Sequence, residues 1–136
     1  MLEELRAYCP NSALAIDLLQ GKWKLQILCV MRSGPVRLGQ LGRVIPDASK
    51  KVLTENLRKL ETAGLVVRRD LGGQVRHVEY DLAEPMRKVT NDILDHMARW
   101  GELYRARVLA RGEHSRVAQK SAADSPTLFD CERKGR

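Results

Sequence analysis

The sequence predicts a mainly α-helical protein that carries one small antiparallel β-hairpin. Two patterns predict this: apolar residues recur every three or four positions along most of the chain, and one central stretch alternates apolar and polar residues instead. Of the 136 residues, 30% are charged and only 4% are aromatic, which is typical of helices that each bury one apolar stripe. We expect a single folded domain over residues 1–110.

Three helical segments are predicted in the first part of the chain. They cover residues 2–7, 10–19 and 22–31, with Gly21 separating the last two. Pro10 suits the first position of a helix, because its missing N–H would be unpaired there anyway. The third segment is predicted to be a core helix, and its apolar stripe consists of Trp23, Ile27, Val30 and Met31.

The next two predicted helices are short and lie close together along the chain. Leu38, Leu41 and Ile45 mark about two helical turns before Pro46, and Ser49 can cap a second helix that ends at Gly64. In the second helix, one face is apolar and consists of Leu53, Leu57 and Leu60. The opposite face is polar and consists of Lys51, Thr54, Glu55 and Arg58, with Lys50 in the first turn. This arrangement is typical of a helix-turn-helix.

The pattern changes from helical to extended after Gly64. Leu65–Arg69 and Val78–Leu82 are predicted strands, and Gly72-Gly73 between them indicates a hairpin turn. We expect Arg68, Arg69 and Arg76 on the arms of this hairpin. A hairpin that directly follows the second helix of a helix-turn-helix is a wing, so the predicted fold is a winged helix-turn-helix.

A long final helix is predicted to begin at Pro85. Its apolar stripe is longer than one small core can cover, which favours packing against a two-fold copy of the chain. We therefore expect a homodimer formed through the terminal helices, with an interface of Leu5, Met86, Val89, Ile93, Met97, Trp100 and Tyr104. Periodicity is lost after Arg111, and residues 111–136 are predicted to be a disordered tail.

The positive charge of the protein is concentrated in one stretch. Residues 22–76 contain 12 Lys or Arg against 4 Asp or Glu, whereas the rest of the chain contains 12 against 13. A concentrated basic excess is expected of a protein that neutralises phosphates. We therefore expect duplex DNA as the partner, although a solvated basic surface is the alternative.

Other classes of function lack their sequence signals. There is no catalytic motif and no metal-ligand spacing, so we expect no enzyme activity, no cofactor and no metal. No stretch is apolar enough for a membrane helix, and the first residues lack the basic start of a signal peptide. We expect a cytoplasmic protein with no membrane partner, whose three cysteines are free thiols.

An ordered series of motifs connects the chain to a known family. The motifs are Cys9-Pro10, Gly21-Lys22-Trp23-Lys24, Gly34-Pro35-Val36-Arg37-Leu38, the nine residues from Leu53 to Glu61, Gly64-Leu65-Val66, Val78-Glu79-Tyr80-Asp81-Leu82 and Trp100-Gly101. In this order and spacing they resemble the HxlR-type winged helix-turn-helix regulators, a branch of the MarR-like class. The resemblance implies a DNA-binding transcription regulator. The chain differs from the family in the wing, where Val75 and Arg76 stand at frequent proline positions and His77 at an Arg position.

Two groups of residues are candidates for DNA contact. The first turns of a recognition helix meet base edges in the major groove, which is the role expected of Lys50, Lys51, Thr54 and Arg58, with Ser49 at the helix start. Contacts to the DNA backbone or minor groove are expected of Arg37, Arg69, Arg76 and His77. The alternative is that these side chains are solvated and have no partner.

Cys9 is a candidate redox sensor. At the N-cap before Pro10 its sulfur would lie near unpaired N–H groups at the positive end of a helix, which favours the reactive thiolate. The resemblance agrees, since several HxlR-type proteins sense oxidants or electrophiles through a cysteine there. A packed structural thiol is the alternative. Cys29 lies in an apolar segment and is expected to be buried, and Cys131 lies in the predicted tail.

The function expected from the sequence is sequence-specific regulation of transcription. The protein would act as a repressor or autoregulator at an inverted-repeat operator, and would respond to oxidants or electrophiles through Cys9. Two alternatives stay open. One is a regulator that senses a small ligand, of unknown identity, without thiol chemistry. The other is a winged-helix module that binds protein or RNA, which would not need the basic face of the helix after Ser49.

Overall fold

The computed structural model describes residues 10–112 of the chain. Within them the chain divides into two compact units, with the boundary between Ala83 and Glu84. The elements of the first unit are α1 (Pro10–Leu19), α2 (Lys24–Met31), α3 (Leu38–Val44), α4 (Lys50–Thr62), β1 (Val66–Asp70) and β2 (Val78–Leu82), and the second unit contains α5 (Met86–Ala110). The predicted helix at 2–7 and the predicted tail from 113 onward lie outside the described residues.

The core of the first unit forms where α2, α3 and α4 pack against one another and against the hairpin. Each element contributes apolar residues at helical or alternating spacing. The fully buried side chains are Ile27, Leu28, Met31, Leu41, Leu53, Leu57, Leu60, Val66 and Leu82. Three of them form the predicted apolar stripe of α4, so the helix-turn-helix formed by α3 and α4 is confirmed, with its polar face directed away from the core.

The start of α2 differs from the prediction. The helix begins at Lys24 instead of Lys22, and Trp23 is its half-buried N-cap residue. The buried residues of α2 are Ile27, Leu28 and Met31, which lie on one side of the helix, whereas Trp23 and Val30 of the predicted stripe are half-buried. The indole of Trp23 instead stacks beneath the ammonium group of Lys22, whose Nζ lies 4.2 Å from the ring centroid.

The end of α4 is fixed by a hydrogen-bonded cap. Gly64 adopts a φ of 75°, a left-handed conformation that glycine adopts without steric cost. Its N–H donates to the carbonyl of Glu61 at 2.9 Å, and the N–H of Leu65 donates to the carbonyl of Leu60 at 3.0 Å. These two bonds form a Schellman motif, in which the buried Leu60 and Leu65 also enclose the turn. The chain therefore leaves α4 directly into β1.

The hairpin has strands where they were predicted, although β1 begins and ends one residue later than predicted. Val66 pairs with Leu82 and Asp70 pairs with Val78, which leaves seven residues, 71–77, in the loop. Because Val66 and Leu82 are both buried, shifting this register by one residue would move them to the solvent face. The expectation that Arg76 lies on an arm of the hairpin was therefore wrong, since Arg76 is a loop residue. We call residues 66–82 the wing.

The second unit contains one long helix in its described part. The prediction of a long final helix is confirmed, because α5 has 25 residues, about seven turns. Pro85 is its N-cap residue instead of its first helical residue. The buried residues of α5 are Thr90, Leu94 and Val108.

Candidate nucleic-acid interface

The polar side of α4 forms a continuous exposed surface. We call Lys50, Lys51, Thr54, Glu55 and Arg58 the recognition face. Thr54 is half-buried and the other four are exposed, whereas the opposite side of the helix is buried in the core. The core therefore leaves the predicted DNA-contact residues of α4 on the solvent side of the helix, where Lys59 and Glu61 are exposed as well.

The first turn of α4 is stabilised by Ser49. The hydroxyl oxygen of Ser49 accepts a hydrogen bond from the N–H of Val52 at 3.2 Å, which confirms the predicted N-cap. The hydroxyl of Thr54 donates to the carbonyl of Lys50 at 2.8 Å. Since its proton is used inside the helix, Thr54 can only accept a hydrogen bond from a base or contact a thymine methyl with its own methyl group.

The cations of the recognition face are available to a partner. Among residues 10–112, no carboxylate forms an ion pair with Lys50, Lys51 or Arg58. Glu55 is exposed on the same face but lies in no ion pair with them. Unpaired ammonium and guanidinium groups on one side of a helix attract phosphates.

The cations of the wing are arranged differently. Arg68 Nη2 lies 3.9 Å from Asp70 Oδ2, and Arg69 Nη1 lies 3.9 Å from Asp81 Oδ2. The side chain of Arg69 is 53% exposed, while that of Asp81 is only 5% exposed. Two of the three arginines of the wing are therefore neutralised in part by acids of the wing itself.

Arg37 and His77 meet where the wing loop joins β2, although 40 positions separate them in the sequence. Arg37 Nη2 lies 3.1 Å from His77 Nδ1, and His77 Nε2 lies 2.9 Å from Glu79 Oε1. Arg37 Nε also lies 3.8 Å from Glu79 Oε1. Both predicted DNA-contact residues therefore have partners within the protein, and we call this group the 37–77–79 cluster.

Arg76 lies in the loop at the end of the wing, where its side chain is exposed. No ion pair of Arg76 occurs within residues 10–112. Next to it, Val75 is 80% exposed. The loop is closed at its base by a hydrogen bond of 2.8 Å from the N–H of Leu71 to the carbonyl of His77. Arg76 is thus the one predicted wing contact whose guanidinium has no ion-pair partner in the described chain.

One side of α5 is apolar and exposed. Its residues are Met86, Val89, Ile93, Met97, Trp100 and Tyr104, the predicted dimer-interface residues of this helix. The rings of Trp100 and Tyr104 stack with their centroids 5.8 Å apart, and Trp100 is 71% exposed. Leu5, the remaining residue predicted for this interface, lies outside the described residues.

The predicted thiol site at Cys9 lies outside the described residues, as does Cys131. Cys29 is half-buried in α2, so the prediction that it is buried was wrong. Residues 10–112 hold no group of three or more His, Cys, Asp or Glu that could bind a metal ion. None of the helices in this range is long and apolar enough to span a membrane.

The acids that pair with predicted DNA-contact residues were missed in the sequence. Glu79 and Asp81, the partners of Arg37 and Arg69, were treated only as the polar positions of an alternating strand. For Asp81 the signal was present, because an antiparallel hairpin with buried Val66 and Leu82 places Arg69 diagonal to Asp81.

Comparisons with known proteins agree with this fold. The family model described as HxlR-like helix-turn-helix matches residues 18–108. YkvN of Bacillus subtilis, an uncharacterized HTH-type transcriptional regulator, is 35% identical over 101 residues, which cover 74% of this chain and 85% of YkvN.

Two solved structures are similar over most of the described chain. The redox regulator HypR in its reduced form has a TM-score of 0.68 and 30% identity, covering 74% of this chain and 98% of HypR. The reduced form of the transcriptional regulator YodB from Bacillus subtilis has a TM-score of 0.63 and 31% identity, covering 69% of this chain and 91% of YodB. Similar structures also include YodB in quinone-bound and diamide-treated forms.

Proposed function

Because the chain belongs to the HxlR-like helix-turn-helix family of transcriptional regulators, we propose that it binds duplex DNA as a homodimer and inserts α4 into the major groove. The observation that carries this proposal is the recognition face, where an apolar core side fixes the helix and the opposite side presents unpaired Lys50, Lys51 and Arg58. Thr54 and Ser49 add polar contacts at the same end of the helix.

The wing plays a supporting part in this proposal. Arg76 contacts the DNA backbone or minor groove, since it is exposed and has no ion pair in the described chain. Arg37, Arg69 and His77 contribute less to DNA affinity than Arg76, because contact with phosphate competes with their pairing to Glu79 and Asp81.

The dimer forms through the exposed apolar side of α5 and the N-terminal segment. Leu14 and Ile16 of α1 are exposed as well, and both would be covered by a partner. A two-fold dimer would bind an inverted repeat whose half-sites lie about one helical turn, roughly 34 Å, apart. Sedimentation of the full chain at micromolar concentration should give a dimer. A stable monomer would contradict this part of the proposal.

The DNA proposal is tested by competition on the full-length protein. The protein should bind the intergenic DNA beside its own gene at low salt and release it steeply as salt rises, because its cations displace condensed counterions. Excess unlabelled duplex should compete better than single-stranded RNA of the same length. More effective competition by the RNA would favour the alternative of an RNA-binding module.

We also propose regulation by oxidants or electrophiles through Cys9. The support is the similarity to the redox regulator HypR and to YodB, which has been seen in quinone-bound and diamide-treated forms. Diamide should release the wild-type protein from DNA, while Cys9→Ser stays bound and Cys29→Ser still responds. If Cys9→Ser is released as readily as wild type, the effector acts elsewhere, as a small ligand without thiol chemistry would.

A further inference from the structure

The base of the wing is attached to the segment that precedes α3. The backbone of Val36 pairs with that of Tyr80 through two N–H to carbonyl hydrogen bonds, both 2.8 Å long. Immediately beside this bridge, the next side chain, Arg37, contacts His77 and Glu79 of the wing. The N–H of Arg37 also donates to Gln40 Oε1 at 2.7 Å, which begins α3. Arg37 therefore touches both the wing and the helix-turn-helix.

The chemistry of the three side chains determines where the proton of His77 lies. A guanidinium only donates hydrogen bonds, so the His77 Nδ1 that lies 3.1 Å from Arg37 Nη2 must accept. A neutral imidazole carries its single proton on the other nitrogen. Nε2 therefore donates to the carboxylate of Glu79 at 2.9 Å. Each of the three side chains then has a hydrogen-bond partner of the complementary kind.

We infer that His77 is a positioning residue, held as the neutral Nε2–H tautomer, that joins Arg37 to Glu79 and so fixes the wing against the start of α3. The consequence of this link for DNA binding rests on the proposed function, whereas the hydrogen bonds of His77 to Arg37 and Glu79 do not. An Arg at this position could not accept from Arg37, because a guanidinium only donates. The link therefore depends on this chain having His77.

The tautomer can be measured directly on the DNA-free, full-length protein. Long-range proton–nitrogen NMR of labelled histidines distinguishes the two tautomers, and His96 supplies an internal control. Its Nδ1 lies 2.6 Å from the backbone carbonyl of Asp92, which only accepts, so His96 should carry its proton on Nδ1. In its neutral form the wild-type His77 should show only Nε2–H. In the double variant Arg37→Ala/Glu79→Ala, which removes both partners of the ring, the Nδ1–H form should appear at His77 while His96 is unchanged. His114→Gln resolves the third signal.

Amide hydrogen exchange tests whether His77 fixes the wing against the start of α3. In His77→Ala the amides of Val36 and Tyr80 should exchange about three- to tenfold faster after correction for intrinsic rates, the loss expected from one hydrogen bond. His77→Asn, whose side-chain oxygen can still accept from Arg37, should fall between Ala and wild type. The amide of Leu57 in α4 reports global unfolding and should not change, and His96→Ala is the surface control.

Two results would overturn the inference. One is a dominant Nδ1–H form of His77 in the wild-type protein, and the other is unchanged exchange at Val36 and Tyr80 in His77→Ala. Neither measurement involves DNA. Both results can therefore be interpreted even if the DNA-binding proposal fails.

Discussion

The recognition helix and the wing both contribute basic residues, but within residues 10–112 the helix leaves Lys50, Lys51 and Arg58 without an ion pair, whereas the wing leaves only Arg76 without one. Residues 50–62 contain four Lys or Arg and two Glu, and none of Lys50, Lys51 and Arg58 is ion-paired within residues 10–112. Residues 66–82 contain three Arg and three acids, and two of the arginines pair with Asp70 and Asp81. A count of basic residues therefore does not say how many are available to a partner.

The difference follows from the geometry of the two elements. The acids of α4 stand at helical spacing from its cations, yet a pair between two exposed, flexible side chains gains little in water. In the hairpin, alternation along β1 places Asp70 on the same side as Arg68, and the register places Asp81 diagonal to Arg69. The pairs of the wing are partly exposed and thus breakable, so they lower its share of DNA affinity without removing it.

The largest expected effect is on the core side of α4. Leu57→Ala removes a fully buried side chain and should lower the free energy of unfolding by about 2–5 kcal/mol, because a cavity remains. Denaturant unfolding of the variant and the wild type measures this loss of stability. The exposed neighbour Arg58→Ala should leave stability within about 0.5 kcal/mol. Equal losses for both variants would mean that α4 does not have one core side and one partner side.

A smaller effect is expected on the recognition face. Lys51→Ala and Thr54→Ala should each weaken binding to the intergenic DNA by about 1–3 kcal/mol, the value of a base contact, and weaken random duplex less. Fluorescence anisotropy on the two DNAs measures the difference. Lys88→Ala, which removes a cation paired with Asp92 on α5, is the control and should change neither affinity. Equal losses on both DNAs would assign Lys51 and Thr54 to the backbone.

The smallest effect is expected from freeing a wing cation. Asp70→Asn keeps an oxygen for the N–H of Gly72 but removes the charge that faces Arg68. Affinity for random duplex should rise, and its salt dependence should steepen by up to about 0.9 for each phosphate that Arg68 newly neutralises. Asp92→Asn makes the same charge change on α5 and is the control. If both variants gain equally, the gain reflects net charge and not the release of Arg68.

Most of the fold of residues 10–112 follows from apolar spacing. The stripe of Leu53, Leu57 and Leu60 and the glycine at 64 were sufficient to place α4, because burial and capping both act on local sequence. The start of α2 and the position of Arg76 were wrong. Both depend on which residues the core accepts: Val66 and Leu82 set the register, so Arg76 falls in the seven-residue loop.

The candidate site also has one part that could be predicted from the sequence and one part that could not. The recognition face could be predicted because exposure on a helix follows from the buried side of that helix. The 37–77–79 cluster could not, because it joins a residue before α3 to two residues of the wing, and their meeting depends on the Val36–Tyr80 bridge. The basic stretch counted from the sequence ended at Arg76, so it excluded Glu79 and Asp81, which neutralise part of it.

The salt dependence of DNA binding tests most directly whether α4 supplies the available cations. The measurement is the slope of log affinity against log salt for Lys50→Ala/Lys51→Ala and for Arg68→Ala/Arg69→Ala, each against wild type on one duplex. The first variant should reduce the magnitude of this slope by about 0.9 for each phosphate that is no longer neutralised, and the second variant should reduce it by clearly less. An equal or larger reduction in the wing variant would contradict the account.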